Sequence, residues 1–335
     1  MQLSDEERKA RKRRKAVIIV GLVLLVPTFA LYIVNHIQTD VPSPLWTEAD
    51  LPIPAEAENG WTPIKHYDSM TISGIDLEPL DKLLAAAREG TKLEDLGRLF
   101  QPARVVAGKI GEHTKICSEA FERKRLVIPC LSLETHACTT EPVEICARLV
   151  SFAALDETSR GSPRGAQLMS NMILRLTDAA ANSPHPWMQA RGLLSLRQSI
   201  HHGSVIIKWR RADTEPVRAS LRRITDETLP LKNLVIGSYL LKHLALRQAL
   251  ERTDSWLLDK GEIMTGLNAA FETAARGGSL APPPDHTTGM FWWFDNPVGK
   301  RMLDAVQPGA DKDFVRTSEL RTSVFTRRDE ALKLR

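Results

Sequence analysis

Aromatic residues are scarce, at 6 % of 335 residues with only three tyrosines. A chain poor in aromatics and rich in Leu, Ala and Arg favours helices over sheets. The glycine signatures of phosphate binding are missing as well. Neither G-x-G-x-x-G nor the P-loop pattern occurs, and there is no G-x-S-x-G elbow and no H-E-x-x-H metal helix. Long low-complexity tracts are absent. These gaps count against several large enzyme classes, so no catalytic residue, cofactor or metal site is expected; an enzyme with a dispersed site stays open.

Net charge of one sign is also lacking over most of the chain. The formal charge of +4 lies entirely in residues 1–15, which hold seven basic and three acidic side chains; the rest carries 38 of each. No global attraction to nucleic acid follows. The basic cluster is Arg8, Lys9, Arg11, Lys12, Arg13, Arg14 and Lys15, and it directly precedes the uninterrupted apolar run Ala16–Val34. Nineteen residues of helix span about 28 Å, close to the hydrocarbon thickness of a bilayer. The reading is a single transmembrane helix over 16–34, with its basic tail 1–15 in the cytoplasm. A cleaved signal peptide ending at Thr28-Phe29-Ala30 is the rival, but Leu31, Tyr32, Ile33 and Val34 carry the run past that point.

Cysteine is limited to Cys117, Cys130, Cys138 and Cys146, all within thirty residues. An even count on the outer side of a membrane reads as two disulfides. Zinc, with His136 beside Cys138, is the competing reading, and spacings of thirteen, eight and eight contain no C-x-x-C knuckle. Cys117 and Cys146 each fall on the apolar stripe of consecutive helices. Of the three connectivities, the nested one is expected: Cys117–Cys146 outside and Cys130–Cys138 closing the loop.

Beyond the span, Pro42, Pro44, Pro52, Pro54 and Pro63 rule out a long helix, and 35–75 reads as a stalk that joins the domain near Trp61. From Asp76 to the end, 76–335 reads as one helical domain with a sub-boundary near 277–290. Apolar spacing predicts a helix through Leu83, Leu84 and Ala87 to Gly90, and one through Val106, Ile110, Thr114, Cys117 and Phe121. Thr140-Glu141-Pro142 and Thr214-Glu215-Pro216 are helix starts, as is Ser162-Pro163. Trp187–His201 reads as a helix stopped by Gly203, Leu231–Leu250 as a core helix, and 311–332 as a last helix. Strand signals are confined to short runs such as Leu126–Ile128 and Val205–Ile207.

Candidate chemistry is sparse. His201-His202 read as a helix-end pair, diverging too far to share a metal. His113 reads as a half-buried core histidine, and Asp285-His286 as a cleft-lining possibility without a nucleophile nearby. The strongest functional lead is Phe291-Trp292-Trp293-Phe294, four rings that no single helix or strand face can bury together. These are the candidate interaction residues.

Gly277-Gly278, Ala281-Pro282-Pro283-Pro284, the aromatic block, Asn296-Pro297-Val298-Gly299-Lys300 and the upstream Gly237-Ser238-Tyr239 resemble bacterial cell-envelope proteins of unassigned function. The likeness covers the C-terminal hundred residues and implies no activity. The expected protein is all-α: a single-pass anchor in the bacterial inner membrane with a disulfide-stapled periplasmic domain. It would be a non-catalytic scaffold or binding module whose partners are the lipid bilayer and an envelope protein. A hydrolase-like enzyme and a carrier of small apolar ligands are the alternatives.

Overall fold

The computed structural model describes residues 5–36, 40–67, 74–90, 92–134, 138–209, 213–253, 258–276, 301–302 and 312–334. Among them lie two short 3-10 helices (Glu48–Asp50 and Glu56–Glu58) and the α-helices α1 (Asp5–His36), α2 (Glu78–Arg88), α3 (Leu93–Lys109), α4 (Gly111–Glu122), α5 (Glu141–Ser159), α6 (Arg164–Asn182), α7 (Pro186–Trp209), α8 (Glu215–Arg222), α9 (Leu231–Arg252), α10 (Lys260–Ala275) and α11 (Lys312–Leu332). The only β pairing among the described residues is an isolated parallel bridge between Asn59 and Arg125. The fold is all-α. The aromatic block Phe291, Trp292, Trp293 and Phe294, together with His136 and Asp285-His286, lies outside the described residues.

Helices α5, α6 and α7 form the centre. Leu168, Met169, Met172, Ile173, Leu176 and Ala180 recur at helical spacing and are all buried on α6. They pack between α5 and α7, and α8 covers a further side of α6. Each of the Leu, Ile and Met side chains contributes roughly 1.5–3 kcal/mol on full burial. Helix α11 returns from the end of the chain to lie along α7, burying Phe314, Val324 and Ala331. It is fastened by Arg321 Nε donating to the Leu229 carbonyl (2.8 Å), while Arg218 Nη2 of α8 donates to the Leu334 carbonyl (2.7 Å).

Two boundaries differ from the sequence reading. The stripe Val106–Phe121 is divided at Ile110, where α3 ends and α4 begins. Helix α7 runs through Gly203 and ends at Trp209, so Val205–Ile207 is buried helix and not strand. Gly203 is there for space: a Cβ at this position would lie 3.0 Å from Val217 Cγ1 of α8. Gly161 and Gly90, by contrast, do terminate α5 and α2 and adopt φ of +79° and +82°, which favour glycine.

The disulfides are Cys117–Cys146, joining α4 to α5, and Cys130–Cys138, within the connection between them. All four cysteines are paired. That connection is also held by Asn59, whose side chain donates to the Val127 carbonyl (2.8 Å) and accepts from the Val127 amide (3.0 Å).

The proline-bearing segment behaves as part of the domain earlier than expected. Its docking begins at Ser43, not near Trp61. The Leu45 amide donates to Tyr239 Oη (2.7 Å), Tyr239 Oη donates to Asn268 Oδ1 (2.7 Å), and Asn268 Nδ2 donates to the Ser43 carbonyl (3.1 Å). Trp46 meets the Tyr239 ring edge-on at 5.4 Å. Tyr239 is fully buried, so this chain of bonds satisfies its hydroxyl.

Helix α1 stands apart. Among the described residues it packs extensively on no other helix, and Val17, Ile18, Ile19, Val20, Leu22, Val23, Leu25, Val26 and Phe29 are each 55–71 % exposed. Among the described residues no helix is long and apolar enough to cross a membrane. The run Ala16–Val34 enters that description only as the pieces 16–23 and 25–29, since the side chains of Leu24 and of 30–36 are outside it.

Candidate functional site

A polar cleft of about 380 Å³ opens between α2, α5 and α7. Helical spacing explains how three segments remote in sequence line it. Asp81, Leu84 and Arg88 share one face of α2; Glu144, Arg148 and Ser151 share one of α5; Arg191, Ser195, Gln198 and His202 share one of α7.

The floor holds the unusual chemistry. His202 is 4 % exposed and Ser151 is 3 % exposed. Ser151 Oγ lies 3.1 Å from His202 Nδ1 and 3.8 Å from Met172 Sδ. His202 Nε2 is buried without a hydrogen-bond partner. Burial, reinforced by the positive charges of Arg88 and His201, pushes His202 down to about 3, and the Leu84 backbone opposes this only in part. The imidazole is therefore neutral at pH 7. A buried polar group without a well-formed hydrogen bond costs up to roughly 1–3 kcal/mol, and the Leu84 backbone recovers only part of that for His202.

The walls carry charge. Arg148 Nε pairs with Asp81 Oδ1 at 3.2 Å, and Arg191 Nε lies 3.6 Å from Glu144 Oε1. Glu144 also accepts from Thr140 Oγ1 (2.7 Å), and the Arg191 guanidinium stacks 4.7 Å over Trp187. Arg88 is exposed at the rim with no carboxylate within ion-pair distance among the described residues. Three arginines face two carboxylates, which leaves one positive charge in excess.

A serine beside a histidine invites comparison with a nucleophile and its base. Three features oppose it. A base whose conjugate acid titrates near 3 has little driving force to take a serine proton at pH 7. No carboxylate bonds the far nitrogen of His202 to orient the ring, as activated serines require. Ser151 is itself closed off. Among the described residues Ser151 and His202 therefore do not form an activated nucleophile and base.

The histidine pair thus occupies mid-helix positions and diverges as the helix geometry demands. His202 enters the cleft, while His201 is half-buried and depressed by burial and then by Arg327. His113 makes a 2.7 Å hydrogen bond with Tyr67 Oη, as a half-buried core histidine would. Among the described residues no group of three His, Cys, Asp or Glu side chains is placed to hold a metal ion. Sequence reasoning missed Arg88, Arg148, Ser151 and Arg191. The available signal was the polar file Arg191, Ser195, Gln198 and His202, spaced at four, three and four along α7.

A second groove, of about 320 Å³, is mainly apolar and lies where Val41, Pro42 and Pro44 meet Leu250 and Met264. It is the feature to which the carrier alternative attaches, but every neighbouring hydrogen bond described above is internally satisfied.

The neutral burial of His202 has a pH consequence. The unfolded chain holds this histidine near 6.5 and the folded chain near 3, so between those values the unfolded state binds more protons. Stability from this group is complete above pH 6.5 and falls as pH drops towards 3. From pH 7 to pH 5 the loss is about 2 kcal/mol at most. Denaturant unfolding of the wild type and of His202→Gln at both pH values isolates it. The wild type should lose more stability than the variant on acidification, and parallel losses would refute the assignment.

Compared with models of known families, with curated proteins and with solved structures, the chain finds no match.

Proposed function

We propose that this protein is a membrane-anchored binding module of the bacterial envelope, with its helical domain on the periplasmic side and the α2–α5–α7 cleft as its binding site. The anchor would be Ala16–Val34 and the bilayer its first partner. The observation that carries this reading is the make-up of α1: seven basic residues followed directly by an apolar run whose described side chains Val17–Val20, Leu22, Val23, Leu25 and Val26 are largely exposed. Apolar surface left open in this way calls for lipid or another apolar partner, and the flanking charge favours a cytoplasmic N-terminus. Two disulfides agree with an oxidising compartment.

Alkaline phosphatase fused after Arg335 should be active in bacteria, and membrane fractions should retain the fusion after a high-salt wash. A stable but inactive fusion would reverse the topology. Release into the soluble fraction would remove the anchor.

The hydrolase reading retains one specific observation, the approach of Ser151 Oγ to His202 Nδ1. Ser151→Ala separates the two readings, because it would abolish turnover in a hydrolase and leave ligand affinity largely intact in a binding module.

A further inference from the structure

The chemistry of the α2–α5–α7 cleft selects among ligands. Its demand is twofold: among the described residues Arg88 is an exposed guanidinium whose charge no carboxylate of the lining balances, and His202 Nε2 is buried without a well-aligned hydrogen bond. Arg88 sits at the rim on α2, one turn beyond Leu84, and Arg148 lies across the cleft on α5. Ser195 and Gln198 add neutral hydrogen-bonding groups along α7, which suit hydroxyl or amide functions and not a second charge.

We infer that the cleft binds a small, polar monocarboxylate, its carboxylate against Arg88 and Arg148 and its uncharged polar groups along Ser195, Gln198 and His202. This rests on the cleft being the protein's binding site. A guanidinium presents paired donors that match a carboxylate, and an excess of one positive charge is balanced by a single negative one. A phosphate, with an average charge of about −1.5 to −2 at neutral pH, would overshoot that balance. A neutral imidazole contributes one donor or one acceptor without adding charge. The volume of about 380 Å³ exceeds what a bare acetate fills and lies within the range of small-molecule sites.

Full-length protein in detergent micelles should be titrated calorimetrically with D-gluconate, lactate and N-acetylglycine. Glucitol, propane-1,2-diol and N-acetylglycinamide are the uncharged counterparts, and inorganic phosphate is the competing anion. The expected result is binding of at least one carboxylate, at least tenfold tighter than its uncharged counterpart and tighter than phosphate. Arg88→Gln should weaken it at least tenfold. Arg148→Gln is a second variant at a half-exposed position, and it should do the same. Tighter binding of phosphate would overturn the choice of carboxylate. Equal binding of charged and uncharged compounds, unchanged in both variants, would overturn the anion while keeping a binding cleft. Silence from every compound would overturn the monocarboxylate assignment, and the phosphatase fusion would still report separately on the anchored module.

Discussion

Gly192→Ala is expected to destabilise the protein by about 2 kcal/mol, although alanine is the better helix former. Gly192 sits where α7 crosses α6, and a Cβ there would stand 2.9 Å from both the Cα and the amide N of Ala180. Those are backbone atoms, so no side-chain rotation relieves the contact. The helices must separate, and the packing of Leu176, Leu193 and Leu196 loosens with them. Gly97→Ala supplies the opposite case. It also lies inside a helix, α3, but a Cβ there meets nothing within 4 Å. It should gain up to about 1 kcal/mol from helix propensity. Thermal melts followed by circular dichroism should show the two alanines shifting the midpoint in opposite directions. Shifts of the same sign would contradict the close crossing of α6 and α7.

Removal of the outer disulfide should cost more than removal of the inner one. Cys117 and Cys146 are separated by 29 residues, Cys130 and Cys138 by eight. In the chain-entropy model the two bridges contribute roughly 3.5 and 2.5 kcal/mol. The outer pair is also fully buried between α4 and α5, so Cys117→Ala/Cys146→Ala loses packing in addition. Cys130 is partly exposed and Cys138 nearly buried, in a connection already held by Asn59 and Ser183. Urea midpoints of the two double variants test the order. An inner variant as unstable as the outer one would show that the connection, and not the α4–α5 contact, limits stability.

Much of the helical framework could be read directly. Thr140-Glu141-Pro142 and Thr214-Glu215-Pro216 open α5 and α8 because proline at an early helical position loses no bond. The α6 stripe and the nested cysteines were legible because one face of a helix recurs every three or four residues. The errors came from glycine and from long-range contact. Gly203 resembles a stop signal in one dimension, yet its role is to admit Val217 from another helix. Docking of the proline segment depends on Tyr239 and Asn268, some two hundred residues away. The cleft was invisible for the same reason: Arg88, Ser151 and His202 lie on three helices, and only packing brings them to one surface.

The bond from the Asn268 side chain to the Ser43 carbonyl sets a stand-off distance. On the anchored reading, His36 closes the membrane-side helix, and the seven residue steps from it to Ser43 reach about 25 Å at most. Ser43 is already fixed to the α9–α10 pair. On that reading the domain would patrol a thin layer over the bilayer instead of sweeping the full depth of the compartment. Its search for a membrane-borne partner becomes two-dimensional, governed by lateral diffusion and copy number per area, whereas a soluble ligand must come down to the membrane to be captured.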